Sequence, residues 1–189
     1  MSKLLLKESE ISEIRKMYLI EDLGNRKDGT DMIERASDPD FLNFIKNMEG
    51  DPKSPSGTIK RPMLKAYEDT GGVLTIGYGH TGSVKKGLVI TKERADSLLE
   101  EDATISANCV IRFLKKWKDD GLQSYMVTQG EFDALISLVF NSGCEAVRMS
   151  RFIQYLKKGQ NKKAGESILK YRSSGLENRR KEESNMFLS

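Results

Sequence analysis

Two carboxylates in the first half of this 189-residue chain stand beside glycine-rich turns. Glu49 closes an amphipathic segment and is followed by Gly50. Asp69 lies in the stretch Tyr67-Glu68-Asp69-Thr70-Gly71-Gly72-Val73-Leu74-Thr75-Ile76-Gly77-Tyr78-Gly79-His80, where four glycines and two tyrosines surround a short apolar run. Two carboxylates from different elements, facing one groove, are the minimum equipment for cutting a glycosidic bond. One protonates the leaving oxygen, and the other activates water or attacks the sugar. Glu49 is the acid candidate: a negative charge at a helix C-terminus meets the wrong end of the dipole, a placement that suits a proton donor. Asp69 and Thr75 fall on opposite arms of a Gly-containing hairpin, where pairing across the hairpin could aim both at one water. Singly, each has a plain explanation. Glu49 is a Glu beside a terminating Gly, Asp69 is a common turn residue, and Thr75 is a good strand residue. Their combination with the glycines is what raises them.

The elements that must position these groups follow from periodicity. Ser9 to Leu23 reads as a helix with Ile11, Ile14, Met17 and Tyr18 on one stripe and Gly24 as its stop. Residues 24–31 then read as a linker, so 1–37 is expected to be an N-terminal helical appendage and 38–189 the catalytic domain. Asp38-Pro39-Asp40 opens a helix with a cap and an N-terminal proline; Phe41, Ile45 and Met48 share a face, and the helix stops at Gly50. Asp51 to Gly57 is a loop with two prolines. From Met63 to Tyr78 the pattern predicts two or three short strands joined by tight turns. Beyond Thr91 it turns helical: one helix carries Ala95, Leu98 and Leu99, a second Ile105, Val110, Phe113, Leu114 and Trp117. Thr128-Gln129-Gly130-Glu131 is a capping box opening a helix apolar nearly all round, hence central. Basic helices cover roughly 150–158 and 161–173. The expected fold class is α+β, a small sheet lobe and a predominantly helical lobe with a cleft between them.

Composition excludes several function classes. At 38% hydrophobic and 31% charged residues the chain reads as an ordinary globular protein. No apolar run approaches the roughly 20 residues of a membrane span, so no stable membrane insertion is expected. The apolar core Leu4–Leu6 is too short for a signal peptide. The net charge of +3 is uneven: residues 149–189 hold ten Lys or Arg against four Asp or Glu, leaving −3 for the rest. That basic end, including Lys157-Lys158 and Lys162-Lys163, favours anionic partners or is a solvated face, and no nucleic-acid motif accompanies it. Cys109 and Cys144 both sit in apolar helical patterns and read as buried free thiols. With one histidine, His80, and no Cys/His cluster, a structural zinc site is excluded, and no cofactor is expected.

Glu49-Gly50, Tyr67-Glu68-Asp69, Thr75-Ile76-Gly77-Tyr78-Gly79-His80, the run Ala134 to Gly143, and Asn178-Arg179-Arg180 together resemble the phage-type lysozyme (endolysin) family, glycoside hydrolase family twenty-four. The resemblance covers about residues 38–189 in the same order, and the glycine-rich hairpin is its most specific part. It implies a lysozyme-like two-lobed fold and a muramidase that hydrolyses the β-1,4 bond between N-acetylmuramic acid and N-acetylglucosamine. By this resemblance Glu49 is the general acid, and Asp69 and Thr75 position the attacking water, with inversion at the anomeric carbon. Phe140 and Asn141 line the sugar cleft, Arg179 pairs with Glu49, and His80 is a packed residue bonding a carboxylate or carbonyl near the hairpin rather than a base. The implied partner is peptidoglycan, met by a monomer held in the host cytoplasm until a separate pore-former releases it. Two alternatives remain: a virion-associated lysozyme, or an inactive glycan-binding module, against which the joint presence of Glu49, Asp69 and Thr75 argues. The chain departs from the family pattern in the 20-position step from Glu49 to Asp69, roughly twice the usual interval, in segment 1–37, and in a short end after Gly175. A surface loop over Asp51–Arg61 can absorb the first departure, since closure entropy grows only logarithmically with length.

Overall fold

The computed structural model describes residues 26–189 apart from residues 55, 57 and 70; the helix expected over Ser9–Leu23 lies outside them. The architecture is α+β and mostly helical, with two small sheets. The first helix, α1 (Pro39–Glu49), starts where Asp38 accepts hydrogen bonds from the Asp40 and Phe41 amides, and it buries Phe41 and Ile45. It ends at Gly50, whose N–H bonds back to Lys46.

Two strands follow, β2 (Met63–Glu68) and β3 (Leu74–Gly77), paired antiparallel with Tyr67 opposite Thr75 and Glu68 opposite Leu74. A third extended piece joins them, because the Ala66 N–H bonds to Leu88 and the Ile90 N–H to Leu64. The remaining strands, β1 (Lys27–Asp28) and β4 (Met126–Val127), form a separate two-stranded pair.

Thr91 caps α2 (Lys92–Asp119), which runs for 28 residues and connects the hairpin lobe to the helical lobe. Two helices were expected here, and one is found. No Gly or Pro interrupts residues 92–119, and the apolar stripe from Ala95 to Trp117 continues at helical spacing throughout. The capping box opens α3 (Gln129–Ser142), with residues 131–139 buried. Around it pack α4 (Cys144–Arg148), α5 (Arg151–Lys157), α6 (Asn161–Ile168) and α7 (Glu177–Phe187). Gly130 permits the approach of α7, since a Cβ there would sit 2.1 Å from the Met186 carbonyl oxygen.

One expectation needs correction. Cys109 and Cys144 are joined in a disulfide between α2 and α4, with Cα atoms 5.9 Å apart; both apolar patterns are real, but helix packing brings the two thiols together. The described residues just before 38 pack against the helical lobe. Met32 and Ala36 are core residues, Arg35 makes a two-pronged contact with Asp133 (3.1 and 2.6 Å), and Arg26 does the same with Glu131 (2.6 and 3.0 Å). Residues 26–37 therefore belong to the helical lobe, because both buried carboxylates of α3 take their counter-charges from that segment.

Candidate active site

The turn after β3 carries the first part of the site. Ile76 and His80 exchange both backbone hydrogen bonds at 2.9 Å, closing a tight turn over Gly77, Tyr78 and Gly79. Gly79 holds φ +95°, and a Cβ there would come within 3.7 Å of Glu49 Oε2. Glycine is favoured there by its conformation, and the 3.7 Å approach, an ordinary van der Waals distance, places the turn beside the acid. The Asp51–Arg61 loop leaves and returns at one point, since the Asp51 N–H donates to the Arg61 carbonyl at 2.8 Å. Hence the long spacing in sequence does not separate Glu49 from the hairpin in space.

Asp69 follows β2 directly. Its Oδ1 accepts from the Gly71 and Val73 amides at 2.9 and 2.8 Å, which pins the carboxylate in the turn. Both bonds fall on Oδ1, which leaves Oδ2 for an incoming proton. Thr75 is 3% exposed, and its hydroxyl donates to the Val73 carbonyl at 3.0 Å. With its hydrogen so used, Thr75 Oγ can act toward a ligand only as an acceptor. Asp69 stands one residue beyond β2, but its N–H still bonds the Val73 carbonyl at 3.0 Å, so the strand alternation extended to it puts it on the face of Tyr67, which lies opposite Thr75. Tyr67 is half-buried. Burial pushes its phenol up, and the negative fields of Glu49 and Asp69 push it further. Both carboxylates thus act on one hydroxyl.

Behind Glu49 stands a buried ion network. Arg179 on α7 contacts Glu49 Oε1 through Nη1, Glu183 through Nε at 2.9 Å, and the Ser137 carbonyl and hydroxyl through Nη2 at 3.2 and 3.3 Å. Glu183 contacts Arg180 with its other oxygen; both of these side chains are 0% exposed. Arg180 donates to the Asn141 Oδ1 at 2.5 Å and to the Tyr171 carbonyl at 2.7 Å. Two cations alternate with two anions, so the buried charge is balanced, and every member is hydrogen-bonded. Because an arginine only donates, Asn141 presents Oδ1 to it and keeps its amide N–H groups free for a ligand. Phe140 is half-buried against the core. The structure thus couples Glu49, Arg179 and Asn141 through one network and sets Asp69 and Thr75 on one hairpin face.

His80 is placed elsewhere. Its Nδ1 meets Asp102 at 2.8 Å and its Nε2 the Gly82 carbonyl at 2.8 Å. Both ring nitrogens are engaged, and the residue ties the hairpin turn to α2. Glu183, Arg180, Ser137 and Tyr67 were not singled out from the sequence. The Arg179-Arg180 and Glu182-Glu183 pairs show the spacing of helical ion pairs, but that pattern is equally that of a solvated helix face.

The arrangement sits in a chain with clear relatives. The phage lysozyme family model matches residues 62–183. The chain is 36% identical over 155 residues to an endolysin of Bacillus phage B103, covering 78% of this chain and 52% of that one. It is 34% identical over 139 residues to an endolysin of Salmonella phage P22, covering 67% of this chain and 87% of the relative. It therefore spans about half the length of the first relative and most of the second. The solved structure of an endolysin from Escherichia coli O157:H7 phage FAHEc1 matches with a TM-score of 0.62 and 30% identity, over 80% of this chain and 92% of that one.

Proposed function

The chain belongs to the phage lysozyme family, and on that premise we propose that it is a glycoside hydrolase that cuts the β-1,4 bond between N-acetylmuramic acid and N-acetylglucosamine in peptidoglycan. The observation that carries this reading is Glu49, one-fifth exposed and clamped by Arg179, beside a hairpin that carries Thr75 opposite Tyr67 and Asp69 pinned in its turn. In this mechanism Glu49 gives its proton to the glycosidic oxygen as the bond to the anomeric carbon breaks. Arg179 then lies against the carboxylate so formed. Asp69 takes a proton from a water, and Thr75 Oγ accepts the other hydrogen of that water, whose oxygen attacks the anomeric carbon from the opposite face. Proton exchange with solvent resets both carboxyl groups. The product anomer is inverted, and proton NMR of the first-formed product tests that point. Phe140 and the Asn141 amide serve as sugar contacts.

The protein acts as a monomer on the host wall, and a separate pore-former gives it access from the cytoplasm. Among the described residues no helix is long and apolar enough to cross a membrane. Cells expressing the protein should lyse when chloroform opens the inner membrane and stay intact before it. The central test compares purified protein with Glu49→Gln on a peptidoglycan suspension. The parent clears the suspension and releases reducing ends, while the variant, with an unchanged circular dichroism spectrum, does neither. Full clearing by the variant would remove Glu49 from its role, and no clearing by the parent would remove the function.

A further inference from the structure

Four observations converge on Tyr67. It lies directly opposite Thr75 in the hairpin register. It shares a strand face with Asp69, two residues on. Its ring is half-buried, and both Glu49 and Asp69 act electrostatically on its hydroxyl. Finally, among the described residues no protein group hydrogen-bonds that hydroxyl, and it is not among the fully enclosed polar atoms left without a partner. A half-buried phenol whose oxygen has no protein partner and lies in the field of two carboxylates is a donor waiting for a ligand.

The hydrogen-bond count of the proposed nucleophile says which ligand. A water has two hydrogens and two lone pairs. Its hydrogens are taken by Asp69 Oδ2 and by Thr75 Oγ, which can only accept because its own hydrogen goes to Val73. One lone pair must face the anomeric carbon. The other is unaccounted for, and neither Asp69 as a carboxylate nor Thr75 can donate to it. We infer that Tyr67 supplies the missing donor: its hydroxyl hydrogen-bonds the attacking water's second lone pair, so that the first is aimed at the sugar. The proton stays on the phenol throughout, and bond making and breaking are unchanged from the mechanism above. The gain is orientational, because a nucleophile fixed at three points has one direction left in which to attack.

This inference rests on the glycosidase reading, and Tyr67→Phe separates the two. The ring and its packing survive the change, and only the donor is lost. With a soluble peptidoglycan fragment as substrate, kcat should fall about tenfold, the value of one hydrogen bond made in the transition state. KM and the thermal unfolding midpoint should stay at their parent values. A kcat within twofold of the parent overturns the inference while leaving the function standing. A raised KM with unchanged kcat overturns it too, since the hydroxyl would then contact the sugar in the ground state. Loss of kcat together with a lowered midpoint would mark a structural role and likewise count against it. An inactive parent enzyme would instead fail the glycosidase reading itself.

Discussion

Asp69 is the side chain on which the proposed chemistry turns most sharply. Two backbone amides hold Oδ1, so the turn fixes where the carboxylate stands, and Oδ2 receives the proton. Asp69→Asn preserves the shape and the two amide contacts but cannot take a proton from water. The expected loss in kcat is about 10²- to 10⁴-fold, the usual worth of a positioned general base, with an unchanged circular dichroism spectrum. An Asn variant within a few-fold of the parent in a reducing-end assay would mean that Asp69 is only a turn residue. Glu49, Asp69 and Thr75 were all readable as candidates because their placement depends on local rules: a helix stop at Gly50, a turn at Gly71-Gly72 and alternation along a strand. Tyr67 obeyed the same alternation. It stands within the motif but was given no role, because a strand tyrosine is common and its field from two carboxylates appears only in three dimensions.

At the scale of elements, α7 is the piece with the largest consequence. Its sequence is polar, and the chain after Gly175 reads as a short tail. The structure makes it a helix whose residues Arg179, Arg180 and Glu183 are buried. Those charges are stable there only as a set. Glu183→Gln leaves two buried guanidinium groups with one carboxylate fewer, and breaking such a pair costs about 3–5 kcal/mol. Urea unfolding should register that loss. Activity should fall as well, since Arg179 would be free to turn away from Glu49. A variant as stable as the parent would show that water enters and replaces the carboxylate. The disulfide carries the same lesson in another element pair. Cys109 and Cys144 are 35 residues apart in sequence, and whether two apolar-patterned thiols meet is decided by how α2 and α4 pack.

For the whole molecule, the described residues before α1 change the domain picture. Arg26 and Arg35 neutralise Glu131 and Asp133 of the central helix, while Met32 and Ala36 fill the core. A truncation that removes residues 1–37 should therefore be far less stable than one that removes residues 1–25, by several kcal/mol, because it strands two buried carboxylates. Thermal unfolding of the two truncated proteins side by side checks this, and equal midpoints would restore residue 38 as the boundary. The same integration explains the arrangement of the lobes. One uninterrupted helix, α2, spans from the hairpin to the helical lobe, and the His80–Asp102 contact fastens the hairpin turn to it. The hairpin turn is thereby held beside Glu49 of α1, whose arginine comes from α7.

The sequence by itself determined the α+β class, the capped starts of α1, α2 and α3, the hairpin and the three candidate polar groups on or beside it. All of these follow from contacts within a few residues, where propensity, capping and period decide the outcome. It also carried the family resemblance, because that rests on ordered motifs. Only the tertiary structure decided that α2 is one helix and that Met32 and Ala36 are core. It alone joined the two cysteines, and it supplies the packing by which Arg179, which the family resemblance pairs with Glu49, reaches that residue across 130 positions. The physical reason is the same in each case. Buried charges and thiols take their meaning from their partners, and those partners are chosen by packing between distant segments, not by neighbours along the chain.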